Sequence, residues 1–303
     1  MLRCSPSEGH SILNNLGIQA KTIMTDGQIS SVKESWPKWR SSIEQYLGPR
    51  PGAERILQLG SELSRIWSIE NSARDQSGVS KAGTSWEVIV SWYLNLVFWN
   101  SGVISTRWKK DYVPQVIRDA LTVKMGNLTT LSETDVVVYG LPEGVSDTLS
   151  IESLNQELQS RISELDVTVL QLKTSWSEFA QIPMLWDLLY RHSADSSLSD
   201  VRIGVGGHAP HHFNTFNYSF ATVPTQKGEV KPNSVRVKRV ANLSGGNYWG
   251  HSTKSGVALS LAEFPSNNFG HRFDKSPLAV IQSNLDTDPY FLTRFLTLDF
   301  SSN

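Results

Sequence analysis

The stretch Leu165–Tyr190, LDVTVLQLKTSWSEFAQIPMLWDLLY, decides how the chain is read. Val167 to Leu172 is apolar on both faces apart from Gln171, the pattern of a strand buried on both sides. Lys173 closes that strand. Thr174-Ser175-Trp176-Ser177-Glu178 then has the form of a capping box, a hydroxyl at the N-cap with a glutamate three residues on. An amphipathic helix follows, and Pro183 implies either a kink in it or a new helix with proline in its first turn. Upstream, Glu133-Thr134-Asp135-Val136-Val137-Val138 is the expected partner strand, bounded by Gly140-Leu141-Pro142. An aspartate at the mouth of one strand and a lysine at the end of the next make a pair around which a phosphodiesterase site can be built.

Working outward, a chain of 303 residues is long enough to bury a large core. Hydrophobic content of 39% and charged content of 19% describe an ordinary globular protein. Ten tryptophans are many, and some belong in the core or on a binding face. The single cysteine, Cys4, excludes an internal disulfide and a thiolate metal site, and points to a reducing, cytoplasmic setting. The opening MLRCSPSEGHSILNNLG lacks the apolar run of a signal peptide. The most apolar stretch, Val88–Trp99, is too short to span a bilayer, so no membrane role is expected.

Net charge is −1, but the charge is unevenly spread. Between Val201 and Lys275 there are nine Lys/Arg and three Asp/Glu, an excess of 9 − 3 = +6, together with five of the seven histidines. A polyanion is expected to dock on this part.

Residues 28–70 carry apolar positions spaced by three and four around a Gly48–Gly52 loop, so they read as helices. Asn71–Gly83 reads as a loop. Thr84 or Ser85 is then the expected cap of a buried helix with Glu87 in its first turn, where an acid complements the dipole. Short helices are expected over Tyr112–Leu121 and Leu149–Glu164, and a short strand over Val201–Val205. Beyond it, Phe216–Val223, Ser234–Ala241, Gly256–Ala262 and Phe291–Phe300 alternate like strands between Gly, Asn and Pro turns. The expected plan is a single α/β domain: a helical N-terminal part (1–83), a catalytic core (84–205) and a β-rich, basic C-terminal elaboration (206–303).

Asp135 and the tripeptide Gln171-Leu172-Lys173 resemble the signature of the PD-(D/E)xK nuclease superfamily, and especially of type II restriction endonucleases. The resemblance covers roughly Glu87 to Val205. It implies a restriction-endonuclease-like core, a central mixed β-sheet flanked by helices. It implies Mg²⁺ as cofactor, double-stranded DNA as substrate, a homodimer cutting both strands, and a DNA methyltransferase as genetic neighbour. Two positions depart from the pattern. No proline precedes Asp135, and the acid of (D/E)xK is replaced by Gln171. Either the amide oxygen of Gln171 serves as ligand, or the acid has moved onto the following helix, where Asp187 stands fourteen residues after Lys173 (187 − 173 = 14); Glu178 is a weaker alternative. The superfamily's additional glutamate on an N-terminal helix would fall on Glu87. The metal set is therefore Asp135 with Gln171 or Asp187, and the wider catalytic set adds Lys173 and Glu87.

Arg236, Lys238, Arg239, Asn247, Lys254 and His211 are the candidate DNA contacts, with Lys227 and Lys231 beside them. Cations meet phosphates, while Arg, Asn and Gln at groove depth read base edges. Read as a strand, Ser234–Val240 would put Arg236 and Lys238 on one face. Histidines 208, 211 and 212 could in principle bind zinc, but a Gly/Pro loop without cysteine favours polar DNA contacts. Gly204-x-Gly206-Gly207 opens no helix, so a dinucleotide fingerprint is not expected. The leading expectation is a sequence-specific, Mg²⁺-dependent endodeoxyribonuclease. The alternatives are a structure-selective or repair nuclease on the same core, a catalytically inactive DNA-binding protein, and a carbohydrate- or protein-binding protein in which the Asp–Lys pair is accidental.

Overall fold

The fold was analysed in a computed structural model that describes residues 26–71, 79–108, 113–132, 134–145, 151–174, 181–192, 200–223, 229–254 and 256–297. Cys4, Tyr112, Glu133, the Ser175–Glu178 portion of the expected capping box, and Lys227 lie outside the described residues.

At the centre stands a six-stranded mixed sheet: β1 (Val103–Arg107), β4 (Val136–Gly140), β5 (Asp166–Lys173), β7 (Thr215–Thr222), β8 (Asn247–Trp249) and β9 (Leu259–Ser260), side by side in that order. β4 is antiparallel to both its neighbours, and β5, β7, β8 and β9 are parallel. The start of β4 and the ends of β1, β5, β7 and β8 therefore share one edge. A smaller sheet joins β3 (Leu128–Thr130), β2 (Val123–Met125) and β6 (Val201–Ile203).

β5 is buried along its whole length to Leu172, as its unbroken apolar run requires. Alternation divides its side chains between two cores. Leu170 and Leu172 face a core built with α1 (Asp26–Leu47), α2 (Ala53–Gln58), α3 (Leu63–Asn71) and α4 (Val79–Val97). The same core holds α9 (Phe264–Phe269), α10 (Pro277–Thr287) and α11 (Phe291–Leu296). Val167 and Val169 face the opposite core, made with α5 (Gln115–Leu121), α6 (Ile151–Leu158), α7 (Gln181–Arg191) and α8 (Val235–Val240). The result is a helix–sheet–helix sandwich, the α/β class expected from sequence. Trp36, Trp39, Trp67, Trp86 and Trp92 are all buried in the first core.

Three expectations are corrected. The helix expected to start at Thr84 or Ser85 begins at Val79, so part of the expected 71–83 loop is helical. Ser85 is not a cap: its hydroxyl accepts a hydrogen bond from Trp67 Nε1 at 2.9 Å. Second, the C-terminal part is not β-rich. Of its four expected strands only the first, β7, is one throughout; 234–241 and 291–296 are helical, and 256–262 keeps only the two residues of β9. Val237 and Val240 lie three apart and turn inward together, and the Ser234 hydroxyl accepts from Val237 N–H, so the segment satisfies a capped helix as well as its alternation suits a strand. Third, the C-terminal segments are not an elaboration. They complete the sheet and close the core over the N-terminal helices, where Trp92 Nε1 donates to Phe295 O at 2.9 Å and Trp36 Nε1 to Leu296 O at 3.3 Å. Those carbonyls, at the end of α11, have no partner within their own helix.

At the sheet edge opposite the ends of β5 and β7, Asp166 is fully buried. It accepts hydrogen bonds from Asn214 (2.8 Å), Thr215 (2.7 Å), His271 and Arg272. Arg272 also donates to the carbonyls of Gly140, Leu141 and Glu164. A Cβ at position 140 would lie 2.8 Å from the Arg272 guanidinium and would force it to shift.

Candidate active site

Strand register assembles the site. Arg107 pairs with Val136, and Val136 with Leu170. One step further out, Asp135 O accepts from Trp108 N–H at 3.1 Å, and Asp135 Oδ2 accepts from Leu172 N–H at 2.7 Å. The aspartate is thus held across the strands, beside Gln171 and just before Lys173. By alternation from Val169, the side chains of Gln171 and Lys173 leave the sheet on the same face, while Asp135 lies one residue before β4. The bond from Leu172 N–H places Asp135 next to the residue that precedes Lys173.

Glu87 joins them from α4. It is the ninth residue of a helix that begins at Val79, not a first-turn acid, so the dipole argument made for it does not apply. Its side chain is 14% exposed and pairs with Arg107, itself 18% exposed. Burial pushes the Glu87 carboxyl up to about 7; Arg107 opposes the rise, the Asp135 charge adds to it, and Lys173 opposes it. Glu87 Oε2 and Arg107 Nε are buried atoms for which no aligned hydrogen-bond partner exists among the described residues.

Gln171 is fully buried, and its Oε1 accepts from the Tyr218 hydroxyl at 3.3 Å. Asp187 is buried too, but it is occupied elsewhere. Its Oδ2 accepts from Ser244 N–H at 2.9 Å, its Oδ1 from the Ser244 hydroxyl at 2.6 Å, and Arg191 lies 3.2 Å away. Ser244 Oγ in turn accepts from Tyr218 N–H at 2.8 Å. The reading of Asp187 as a displaced metal ligand is corrected on this ground: its carboxylate ties α7 to the segment that leads into β8.

The expected DNA contacts divide. Arg236 and Lys238 are exposed on α8 with Arg239 partly so, but a helix sets adjacent-but-one residues on different sides, so the shared strand face expected for Arg236 and Lys238 is corrected. Lys254 is exposed and paired with Glu229. Asn247 is 5% exposed and donates from Nδ2 to Val257 O at 3.0 Å, which corrects its reading as a groove contact. His211 is exposed, with its ring 4.2 Å from that of His212; partial burial and its neighbour His212 lower its pKa. His212 Nδ1 accepts from Ala209 N–H at 3.1 Å. Among the described residues no three His, Cys, Asp or Glu side chains are grouped to hold a metal ion.

Sequence reasoning missed Arg107. The signal was available: Val103-Ile-Ser-Thr-Arg107 is a β-branched run following Gly102, and it places a cation at a strand end. No protein-family model matches the chain, and no curated protein matches it in sequence. No helix among the described residues is long and apolar enough to cross a membrane.

Proposed function

We propose that the protein is a Mg²⁺-dependent endodeoxyribonuclease of the PD-(D/E)xK type, cutting double-stranded DNA at specific sequences. One observation carries the reading: Asp135 and Lys173 stand at the same edge of a mixed sheet, where the Asp135 carboxylate accepts from the N–H of the residue before Lys173, and Glu87 lies within reach of both charges. The order of parts around them, a glutamate-bearing helix, the aspartate strand, the lysine strand and then a helix, is compatible with a restriction-endonuclease-like core.

The residues fit a hard divalent cation. Mg²⁺ is commonly held by one or two carboxylates with water completing its shell, and here the buried Glu87 carboxylate, paired with Arg107, lies near enough to Asp135 for the charge of one to act on the other. Asp135 and Glu87 would hold the ion. Gln171, whose amide oxygen is engaged by Tyr218, braces the strand instead. When bound, the ion supplies charge neutralisation at the phosphoryl group and activation of the attacking water. Leu172 N–H fixes the orientation of Asp135, and Lys173 offers its ammonium to the charge that builds on the phosphoryl oxygens. In the overall step the water oxygen bonds to phosphorus while the bond from phosphorus to the leaving sugar oxygen breaks. One proton is lost by the water and one is gained by the sugar oxygen. Arg236, Lys238 and Arg239 on α8 are proposed as phosphate contacts, with His211 and Lys254 as further candidates, and a homodimer as the form that cuts both strands.

Incubation of the protein with a sequenced phage DNA and Mg²⁺ tests this. Discrete fragments with a common end sequence are expected, and a smear would replace site specificity with nonspecific cleavage. A second reading, a DNA-binding protein without catalysis, is favoured by Gln171 in the acidic position; binding without cutting would establish it. Absence of both binding and cutting would sink the two readings together.

A further inference from the structure

We propose that Arg107 is a phosphate-binding residue of this site: its guanidinium holds Glu87 while no ion is bound, and turns to the scissile phosphate once an ion takes Glu87. The inference rests on the nuclease reading. Arg107 stands at the end of β1, in register with Val136, on the strand whose next residue bonds to Asp135. Its side chain is only 18% exposed, so its charge needs a partner, and Glu87 provides one. That partnership leaves donor capacity unspent. Arginine carries five N–H groups in a planar fork suited to two oxygens of a phosphate, yet Nε is buried without an aligned partner.

Charge balance gives the direction of the exchange. The two carboxylates of Glu87 and Asp135 are offset by the two cations of Arg107 and Lys173. A divalent cation held by Glu87 and Asp135 would leave the cluster in excess of positive charge, and a phosphodiester is the anion this site would receive. Glu87 then changes counter-charge from guanidinium to metal, and the guanidinium, still largely shielded from water, gains most by pairing with that anion.

The test uses the full-length protein with the single substitutions Arg107→Ala and Arg107→Lys. Three quantities are read: Ca²⁺ binding by calorimetry without DNA, single-turnover cleavage of a plasmid at saturating Mg²⁺, and the same cleavage with added methylguanidinium. Ca²⁺ binding at least as tight as in the wild type is expected, because a competing cation has gone. The cleavage rate of Arg107→Ala should fall by about 10²-fold, the loss typical of one oxyanion donor, and methylguanidinium should restore part of it. Arg107→Lys, which keeps the charge and is the milder change should the alanine variant not fold, should lose roughly tenfold. Cleavage at the wild-type rate in either variant overturns the proposal. So does a rate loss accompanied by weaker Ca²⁺ binding and no rescue, which would make Arg107 only a support for Glu87. A wild-type protein that cuts no DNA overturns the nuclease reading itself, and this inference with it.

Discussion

A carboxylate set in the interior of a buried helix is explained by what surrounds it, and around Glu87 stand Arg107, Asp135 and Lys173. Burial raises its pKa from 4.5 to about 7, so ionising it costs the native state more than the unfolded chain. The sign follows: the metal-free protein should lose stability as pH rises through the window from 4.5 to about 7. Glu87→Gln should flatten that slope, as measured by urea denaturation across the window; an unchanged slope would place the titration elsewhere. Lys173 and Asp135 were legible in the sequence because each ends or begins an apolar run, where a charge needs a reason. Glu87 read locally as a helix-start acid, since Thr84-Ser85 imitates a cap and Gly83 imitates a break, and entered the site only through the family resemblance. The acid missing at Gln171 was sought on the wrong element. Asp187 has the right offset along the chain, but Ser244 captures its carboxylate, a contact with a residue 57 positions away that spacing does not reveal.

At the level of elements, Asp187 predicts a division between stability and activity. Asp187→Ala removes the buried carboxylate that accepts from the N–H and hydroxyl of the exposed Ser244, at a cost of roughly 1–3 kcal/mol. Cleavage should persist below the lowered melting temperature; its abolition in a folded variant would return Asp187 to the site. The helix α8 shows why short segments mislead. Val235-Arg-Val-Lys-Arg-Val240 satisfies both a two-residue alternation and a three-residue spacing, and only the packing of Val237 and Val240 with the Ser234 cap selects the helix. Replacing Arg236, Lys238 and Arg239 by alanine should leave melting unchanged. It should also weaken DNA binding across all sequences and flatten the salt dependence by up to about three counterions. Binding measured over a range of NaCl concentrations checks this, and an unaltered slope would move the DNA surface off α8.

Across the whole molecule, the sheet order and the division into two cores follow from β5, whose two apolar faces demand helices on both sides. The packing of α11 against the N-terminal helices was not legible. It depends on Trp36 and Trp92 reaching the carbonyls of that helix; the reach of Arg272 to Asp166 across 106 residues was hidden in the same way. Arg272→Ala strands a buried carboxylate and three carbonyls, and should cost about 3–5 kcal/mol in chemical denaturation. A loss under ~1 kcal/mol would show the cluster to be no more than a surface-type pair. Burial would raise the Asp166 pKa, but Thr215, His271 and Arg272 outweigh it and hold the carboxyl below its ordinary 3.8. That contribution is present above this value and is lost as pH falls below it.

Single-turnover cleavage of a plasmid at saturating Mg²⁺ by the wild type, Asp135→Ala and Lys173→Ala bears most directly on the central claim, that these two residues form the heart of a nuclease site. The wild type should cut at defined positions. Each variant should fall by about 10²–10³-fold or more while retaining specific DNA binding. Cleavage at the wild-type rate in either variant would contradict the site.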